Sequence, residues 1–220
     1  MTAMSYTGKV RPGGRPDVRE LPELVVTKLA VSEMSNNVYL LRCRRTDDQL
    51  LVDAADDAPA LLRVAGDTGL RTVVTTHQHW DHHRALADVV AATGAETVAG
   101  TEDADALPVP VTRRVTDGDS VTVGDCTLEV VHLAGHTPGS VALLYDDPDG
   151  TPHLFTGDSL FPGGPGRTTS PADFAQLMGD LETKVFDRLP DETWVYPGHG
   201  DDTTLGVERP HLAEWRERGW

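Results

Sequence analysis

The chain has 220 residues and a formal charge of −16 at pH 7, from 19 basic and 35 acidic side chains. This excess of negative charge repels polyanions, so nucleic acids and anionic membrane surfaces are not expected as partners.

The two cysteines, Cys43 and Cys126, lack Cys-x-x-Cys spacing. Their isolation argues against a disulfide framework or a thiolate metal site and predicts buried free thiols.

The first 22 residues are rich in glycine and proline and contain no apolar run typical of a secretory signal. No stretch of the chain approaches the roughly 20 consecutive apolar residues that a membrane-spanning helix needs. We therefore predict a flexible leader over residues 1–22, a single domain over residues 23–220 and a cytoplasmic location.

Strands dominate the predicted structure after the leader. Apolar runs bounded by turn residues predict strands over residues 24–31, 37–43, 49–53 and 71–76. Helices are predicted over residues 59–65 and 84–90, the second of them continuing to Gly94. Asp117-Gly118 predicts a hairpin within residues 115–123, and residues 147–150 predict a turn that joins strands 140–145 and 153–156.

The C-terminal part of the chain is predicted to be mainly helical. Ser170 and Pro171 are typical of a capped helix start. Apolar side chains then recur at helical spacing, so one face of this helix should lie on a sheet: Phe174, Leu177, Met178, Leu181 and Val185. Residues 193–196 predict a last strand, and residues 207–220 a closing helix. Because both halves of the chain place strands before a helix, we predict an α+β fold with two sheets packed face to face and helices outside.

The segment from His77 to His83 holds five candidate metal ligands, in the pattern His-x-His-x-Asp-His followed by one more histidine. Imidazole nitrogen and carboxylate oxygen suit a borderline divalent ion such as zinc. His77 and His79, two residues apart in an extended segment, can face one metal. Asp81 is expected at the N-terminus of the following helix, where free N–H groups favour a carboxylate. A regular ligand pattern between a strand and a helix favours a metal site over a chance cluster.

Three later positions each offer one ligand beside a glycine, namely His136, Asp158 and His199. Glycine lets the backbone approach a metal closely. Each position alone is equally well explained as a turn residue, but together they extend the first pattern. The remaining histidines of interest fall outside it: His83 is predicted to be solvated, and His132 and His153 to be structural.

Together these motifs resemble the metallo-β-lactamase fold superfamily over roughly residues 23–210. The resemblance implies a four-layer αβ/βα sandwich with its site at one edge of the two sheets. It also implies the following ligand set: His77, His79 and His136 for a first metal, Asp81, His82 and His199 for a second, and Asp158 as the bridge between them. Asp53, at the end of a predicted strand, would orient a ligand without binding metal itself.

Residues 76–82, 160–168 and 197–206 are most similar to the glyoxalase II branch of that superfamily, the hydroxyacyl-thiol hydrolases. The chain is expected to lack the C-terminal helical domain with which longer members bind glutathione, so a short-form hydrolase is implied. Arg167 is a candidate for binding a substrate carboxylate, and an ion pair with a nearby acid is the alternative.

These features predict an enzyme that hydrolyses a small-molecule thioester or ester with two divalent cations, with zinc expected and iron or manganese as alternatives. The ions would share a water and lower its pKa toward neutrality, so that a bridging hydroxide attacks the acyl carbonyl, with Asp81 and Asp158 as catalytic carboxylates. A thiolate, with a pKa of about 8.5, leaves without a strong general acid, which favours a thioester. Three alternatives stay open: a persulfide dioxygenase with one iron on His77, His136 and Asp158, a lactonase on the same ligand set, and a metal-binding protein without turnover.

Overall fold

Two β-sheets lie face to face in the computed structural model of the protein, which describes residues 6–66, 69–148 and 150–219. The first sheet takes its strands in chain order: β1 (Asp17–Glu20), β2 (Leu24–Val31), β3 (Asn36–Cys43), β4 (Gln49–Val52), β5 (Leu70–Thr75), β6 (Glu96–Gly100) and β7 (Arg113–Val115). The pairs from β1 to β4 are antiparallel, and those from β4 to β7 are parallel. Parallel neighbours need a crossover, which helices α1 (Ala58–Ala65) and α2 (Leu86–Thr93) supply for β5 and β6.

The second sheet is built from the other half of the chain. Its strands, from one edge to the other, are β15 (Thr203–Thr204), β14 (Trp194–Pro197), β11 (His153–Gly157), β10 (Val141–Tyr145), β9 (Cys126–His132) and β8 (Ser120–Val123). A separate short pair consists of β12 (Leu160–Phe161) and β13 (Gly164–Pro165). The helices are α3 (Pro171–Asp180), which continues as a π-helical turn over Leu181–Phe186, then α4 (Leu205–Glu208) and α5 (Leu212–Arg218).

Apolar side chains form three layers of core. The central core lies between the sheets and mixes residues of both, for example Leu41 and Val52 with Val130 and Leu143. A second core joins α1 and α2 to the outer face of the first sheet, and a third joins α3 and α5 to the outer face of the second. The result is the predicted four-layer sandwich with helices outside.

The helical prediction after Ser170 is confirmed. The Ser170 hydroxyl accepts a hydrogen bond from the Asp173 amide at 3.1 Å, and all five apolar residues predicted on its inner face are buried. The predicted closing helix is interrupted by a 3-10 turn over Arg209–His211, and Trp220 lies outside the described residues. Among the described residues, no helix has the length and apolar character needed to cross a membrane.

The described part of the predicted leader includes a strand that joins the first sheet. Strand β1 pairs with β2, from Asp17 opposite Lys28 to Glu20 opposite Val25. The Tyr6 hydroxyl donates to Asp202 Oδ2 at 2.6 Å, and its ring lies against Trp194. Glycine and proline set local turns in this segment, but long-range pairing decides whether it is ordered. Residues 1–5 of the predicted leader lie outside the described residues.

The predicted hairpin over residues 115–123 is wrong. Asp117 and Gly118 do form a turn, with Gly118 at a φ of 81°. However, β7 pairs with β6 in the first sheet, whereas β8 pairs with β9 in the second. The turn therefore carries the chain from one sheet to the other. By contrast, β10 and β11 pair antiparallel, as predicted from the turn between them.

Candidate metal centre

The candidate ligands all lie in loops that leave the carboxyl ends of strands at one edge of the sandwich. His77, His79, Asp81 and His82 follow β5, and the isolated residues follow three strands of the second sheet: His136 after β9, Asp158 after β11 and His199 after β14. The Thr76 carbonyl accepts a hydrogen bond from the Val141 amide at 2.9 Å, which joins the two sheets directly beside the site. Seven side chains that are far apart in sequence therefore meet at this edge.

Three groups of these side chains place their donor atoms within 4.8 Å of one another: His77 with His79 and His136, Asp81 with His82 and His199, and His77 with His82 and Asp158. The first two groups are the two predicted ligand sets. The third puts Asp158 beside one member of each set. Asp158 Oδ1 is 3.3 Å from His82 Nε2, and its Oδ2 is 3.6 Å from His136 Nε2.

In four of these histidines, an oxygen atom of the protein lies beside Nδ1, the ring nitrogen directed away from the centre. Nδ1 of His77 lies 3.0 Å from the Thr76 hydroxyl, and Nδ1 of His82 lies 2.9 Å from Asp53 Oδ2. Nδ1 of His136 lies 2.6 Å from the Arg167 carbonyl, and Nδ1 of His199 lies 2.9 Å from the Met34 carbonyl. In each ring Nε2 is left to face the shared space. His77 Nε2 is buried without a hydrogen-bond partner among the described residues. In a metal-binding histidine, one ring nitrogen is usually fixed by a hydrogen bond and the lone pair of the other is directed at the metal. The residues present therefore fit bound cations.

Charges at the centre favour a cation. Burial alone would raise the pKa of Asp158, but the hydrogen bonds from His199 and His82 hold it well below its ordinary range. Burial likewise opposes ionisation of Asp81, whose pKa is nevertheless lowered by the Asn36 amide and by His82. Burial would lower the pKa of His82, but Asp53 and Asp158 raise it to about 10. Carboxylates thus remain charged here and stabilise positive charge between them.

Asp53 occupies the place that the resemblance implies. It follows β4 with a φ of 60°, a left-handed conformation that is uncommon outside glycine. Its Oδ1 accepts from the Thr76 amide at 2.7 Å, and its Oδ2 accepts from the Thr76 hydroxyl at 2.8 Å and faces His82 Nδ1. Asp53 therefore fixes the start of the ligand loop and one ligand ring at once.

Two predictions about the ligand loop need correction. Asp81 does not begin a helix, since it lies in a separate 3-10 turn over Trp80–His82, and the Asn36 side-chain amide holds its Oδ2 at 2.9 Å. His83 is buried rather than solvated, and its Nε2 faces the Gln78 carbonyl at 3.0 Å. The tight turn brings His83 back onto the loop's own backbone, whereas it presents Asp81 to Asn36 of β3.

The remaining sequence candidates are placed as follows. The Arg167 side chain is exposed and forms no ion pair with an acid of the described residues, and only its carbonyl contacts the site, through His136. His153 is buried with Nδ1 2.9 Å from the Tyr196 hydroxyl, and His132 lies 2.8 Å from the Pro138 carbonyl. Neither His132 nor His153 belongs to a ligand group.

Asp103 is a residue that sequence reasoning missed. It is fully buried, and its carboxylate accepts from the Gln78 amide at 2.9 Å, from the Gly139 amide at 2.8 Å and from the Thr137 hydroxyl. It therefore ties the loop of His77 and His79 to the loop of His136. The residue follows a short strand without a motif around it, and no signal in the sequence connects it to either loop.

We expect Asp103→Ala to weaken cation binding about 10- to 100-fold, because two ligand loops lose their common anchor and the Gln78 and Gly139 amides lose their acceptor. Competition titration with a chromophoric chelator would measure this change. Asp105→Ala is the matched control, since Asp105 is exposed and forms its ion pair with Arg114. Equal cation affinity in the two variants would contradict the anchoring role of Asp103.

Gly198 is required for the close approach of two ligands. A Cβ added there would lie 2.2 Å from Asp158 Oδ1 and 2.8 Å from His82 Cε1. Both atoms belong to rigidly held groups, so Gly198→Ala should displace them and reduce bound metal by at least about tenfold. Gly179→Ala is the control, because a Cβ there meets nothing within 4 Å and alanine is favoured by up to about 1 kcal/mol in a helix. Metal analysis and urea unfolding of both variants would check these results, and full metal content in Gly198→Ala would refute the first.

Comparison with known proteins is consistent with this geometry. The sequence matches the family model of the metallo-beta-lactamase superfamily over residues 31–199, which include every candidate ligand. The chain belongs to this superfamily. This metallo-beta-lactamase superfamily member is 34% identical to a hydroxyacylglutathione hydrolase of Rhodospirillum rubrum over 166 aligned residues. The alignment covers 74% of this chain. The chain spans about 62% of the length of that curated relative.

Solved structures of the superfamily have the same fold. ETHE1 from Myxococcus xanthus superposes with a TM-score of 0.75 at 31% identity, covering 87% of this chain and 84% of that chain. The crystal structure of TTHA1623 in a di-iron-bound form superposes with a TM-score of 0.64, also at 31% identity, covering 83% of this chain and 96% of that chain. This metallo-beta-lactamase superfamily member therefore has the same sandwich fold as two solved structures with 31% sequence identity to it.

Proposed function

We propose that the protein is a dinuclear metal-dependent hydrolase that cleaves a small-molecule thioester, with hydroxyacyl thioesters as the substrate class. The observation that carries the proposal is the pair of ligand sets flanking Asp158, with histidine rings oriented from outside. The similarity to a hydroxyacylglutathione hydrolase supports the substrate class.

In this proposal His77, His79 and His136 would hold one cation and Asp81, His82 and His199 the second, and Asp158 is the carboxylate that lies beside both sets. Cations bound there would supply Lewis acidity, which lowers the pKa of a water and offsets negative charge on a carbonyl oxygen. Zinc is the cation we expect from nitrogen and carboxylate donors, although the di-iron-bound form of TTHA1623 shows that a similar fold accommodates iron.

The chain's own groups then have separate tasks. Asp81 and Asp158, kept ionised by their neighbours, accept hydrogen bonds from the attacking water and hold it between the ligand sets. Asp53 keeps His82 in one tautomer, because its carboxylate accepts from Nδ1. A thiolate with a pKa of about 8.5 departs without a strong acid, so hydrolysis of a thioester needs no additional proton donor from the protein.

A persulfide dioxygenase is the second candidate. His136 Nε2 lies 3.6 Å from Asp158 Oδ2, and His77 shares one ligand group with His136 and another with Asp158, so the two imidazoles and the carboxylate are neighbours. Such a set suits one ferrous iron with open positions for oxygen. It would leave His199 without a direct role.

The two candidates are distinguished by metal content and by one variant. We expect protein purified without added metal to contain two cations per chain and to hydrolyse a hydroxyacylglutathione thioester faster than a lactone. His199→Ala should then lose most hydrolysis, because the second cation loses a ligand. One iron per chain, oxygen uptake with a glutathione persulfide and an active His199→Ala variant would instead establish the dioxygenase.

A further inference from the structure

Both cysteines lie at the edge of the sandwich opposite the candidate metal centre. Cys43 is the last residue of β3, and Cys126 is the first of β9, so the two thiols come from different sheets. At the other end of β3, Asn36 contacts the ligand Asp81. A strand of this length spans roughly 25 Å, so the thiols are far from the metal ligands and take no part in the proposed hydrolysis.

The two thiols are neighbours in space. Both belong to the core between the sheets, both are buried, and both line one cavity of about 440 Å³ together with Glu23, Arg45 and Asp125. Cys126 donates to the Glu23 carbonyl at 3.6 Å, and Gly124, two residues before Cys126, lies directly against Cys43. Residues 43 and 126 therefore lie close together although they belong to different sheets.

The turn before β9 is shaped around Cys43. Gly124 has a φ of 55°, and a Cβ on it would lie 2.7 Å from Cys43 Cβ and 2.9 Å from Cys43 Sγ. A glycine in this left-handed conformation lets the turn close onto the sulfur. The Thr46 hydroxyl oxygen lies at the same point, because that Cβ would be 2.1 Å from it, and Arg45 and Asp125 line the cavity beside the sulfur. A hydroxyl and backbone N–H groups close to a sulfur favour its thiolate form.

The two thiols differ in acidity. Burial opposes ionisation of Cys43, but the hydrogen bonds from Thr46 and the neighbouring amides lower its pKa to about 7. Burial, and then the proximity of Cys43, raises the pKa of Cys126 to about 12. At neutral pH one sulfur is therefore available as a thiolate while the other keeps its proton, which is the division of roles between an attacking and a resolving cysteine.

We propose that Cys43 and Cys126 form an oxidation site that closes reversibly to a disulfide between the two sheets. The oxidant is a small hydroperoxide such as hydrogen peroxide. The Cys43 thiolate attacks one peroxide oxygen, the O–O bond breaks, and the products are a sulfenic acid on Cys43 and hydroxide. The Cys126 sulfur then attacks Cys43, the S–O bond breaks, and the Cys126 proton leaves with the hydroxyl group as water. Sulfur is oxidised and peroxide oxygen reduced in the first step.

Closure would add a covalent bond between the first sheet and the second at the edge opposite the metal centre. The bond constrains the unfolded chain between residues 43 and 126, so the oxidised protein should resist unfolding better than the reduced protein. Because the metal ligands are at the opposite edge, metal content should stay the same, and any hydrolytic activity should change less than twofold.

The test uses the full-length reduced protein and hydrogen peroxide at neutral pH. We expect free thiols, titrated under denaturing conditions, to fall from two per chain to none and to return with a dithiol reductant. Peptide mapping should find Cys43 joined to Cys126, and the urea midpoint should rise on oxidation. Cys126→Ser should stop at a sulfenic acid that a dimedone reagent traps, whereas Cys43→Ser should react at least tenfold more slowly.

Several outcomes would overturn the proposal. Thiols that survive an excess of peroxide would do so, as would disulfides found only between chains on non-reducing gels. Equal oxidation rates in the two serine variants would also reject the assigned roles. Peptide mapping of the wild-type protein needs neither variant, so the proposal remains testable if one of them fails to fold.

Discussion

Replacing Asp158 with asparagine should remove cation binding and hydrolysis together. Asp158 is the group next to both ligand sets, with its Oδ1 3.3 Å from His82 Nε2 in one set and its Oδ2 3.6 Å from His136 Nε2 in the other. Asparagine keeps the shape of the side chain but removes the negative charge that would offset two cations. We expect bound metal to fall below one per chain and the rate of thioester hydrolysis to fall by a factor on the order of 10³.

Metal analysis after gel filtration and steady-state kinetics would measure both effects. Asp88→Asn is the matched control, since Asp88 is an exposed aspartate on α2, close in sequence to the ligand loop. The control should keep its metal and its activity. If Asp158→Asn retained two cations and full hydrolysis, the proposed sharing of Asp158 between the two sets would be wrong.

Replacing Lys28 with methionine should destabilise the fold by about 3–5 kcal/mol, because it leaves a buried carboxylate without its cation. Lys28 and Asp202 are completely buried and their charged atoms are 2.6 Å apart. The Lys28 ammonium also donates to the carbonyls of Gly8 and Gly200, each at 2.7 Å. One side chain therefore joins β2 to the N-terminal segment and to the loop that carries His199.

Urea unfolding of the two proteins would measure the loss of stability. Lys9→Met is the control, since Lys9 is exposed and lies 3.7 Å from Asp201, a surface pair worth about 0–1 kcal/mol. A destabilisation below about 1 kcal/mol in Lys28→Met would contradict the importance of the buried pair. We also expect weaker cation binding in folded Lys28→Met, because Gly200 directly follows His199 and loses a hydrogen bond.

The buried pair is part of a wider network that fixes the last ligand loop. Asn37 donates from its side-chain amide to the carbonyls of Pro197 and Gly200, each at 2.9 Å, and the Tyr39 hydroxyl donates to Pro197 at 2.7 Å. These donors come from β3, in the first sheet, whereas the loop belongs to the second. Packing of the two sheets therefore sets the position of His199 relative to the ligands that follow β5.

Much of the fold was predictable because its signals are local. The Ser170 cap and the apolar spacing after it depend on residues within two turns of helix, and these signals predicted α3 correctly. The turn at Asp117 and Gly118 was predicted equally well, but its position as a connection between the two sheets was not. Turn geometry depends on a few neighbouring residues, whereas the choice of partner strand depends on which faces become buried together, and that choice put β7 and β8 in different sheets.

The chemistry of the candidate centre follows from the sequence alone, because the identity of each donor group and the spacing within the His77–His82 loop do not depend on the fold. The surroundings of those donors depend on the fold. Asp103 is 25 residues from the amide it holds at Gln78, and Asn36 is 45 residues from Asp81. Hydrogen bonds over such separations form only when strands from distant parts of the chain end at a common edge, and no local pattern in the sequence records where those ends meet.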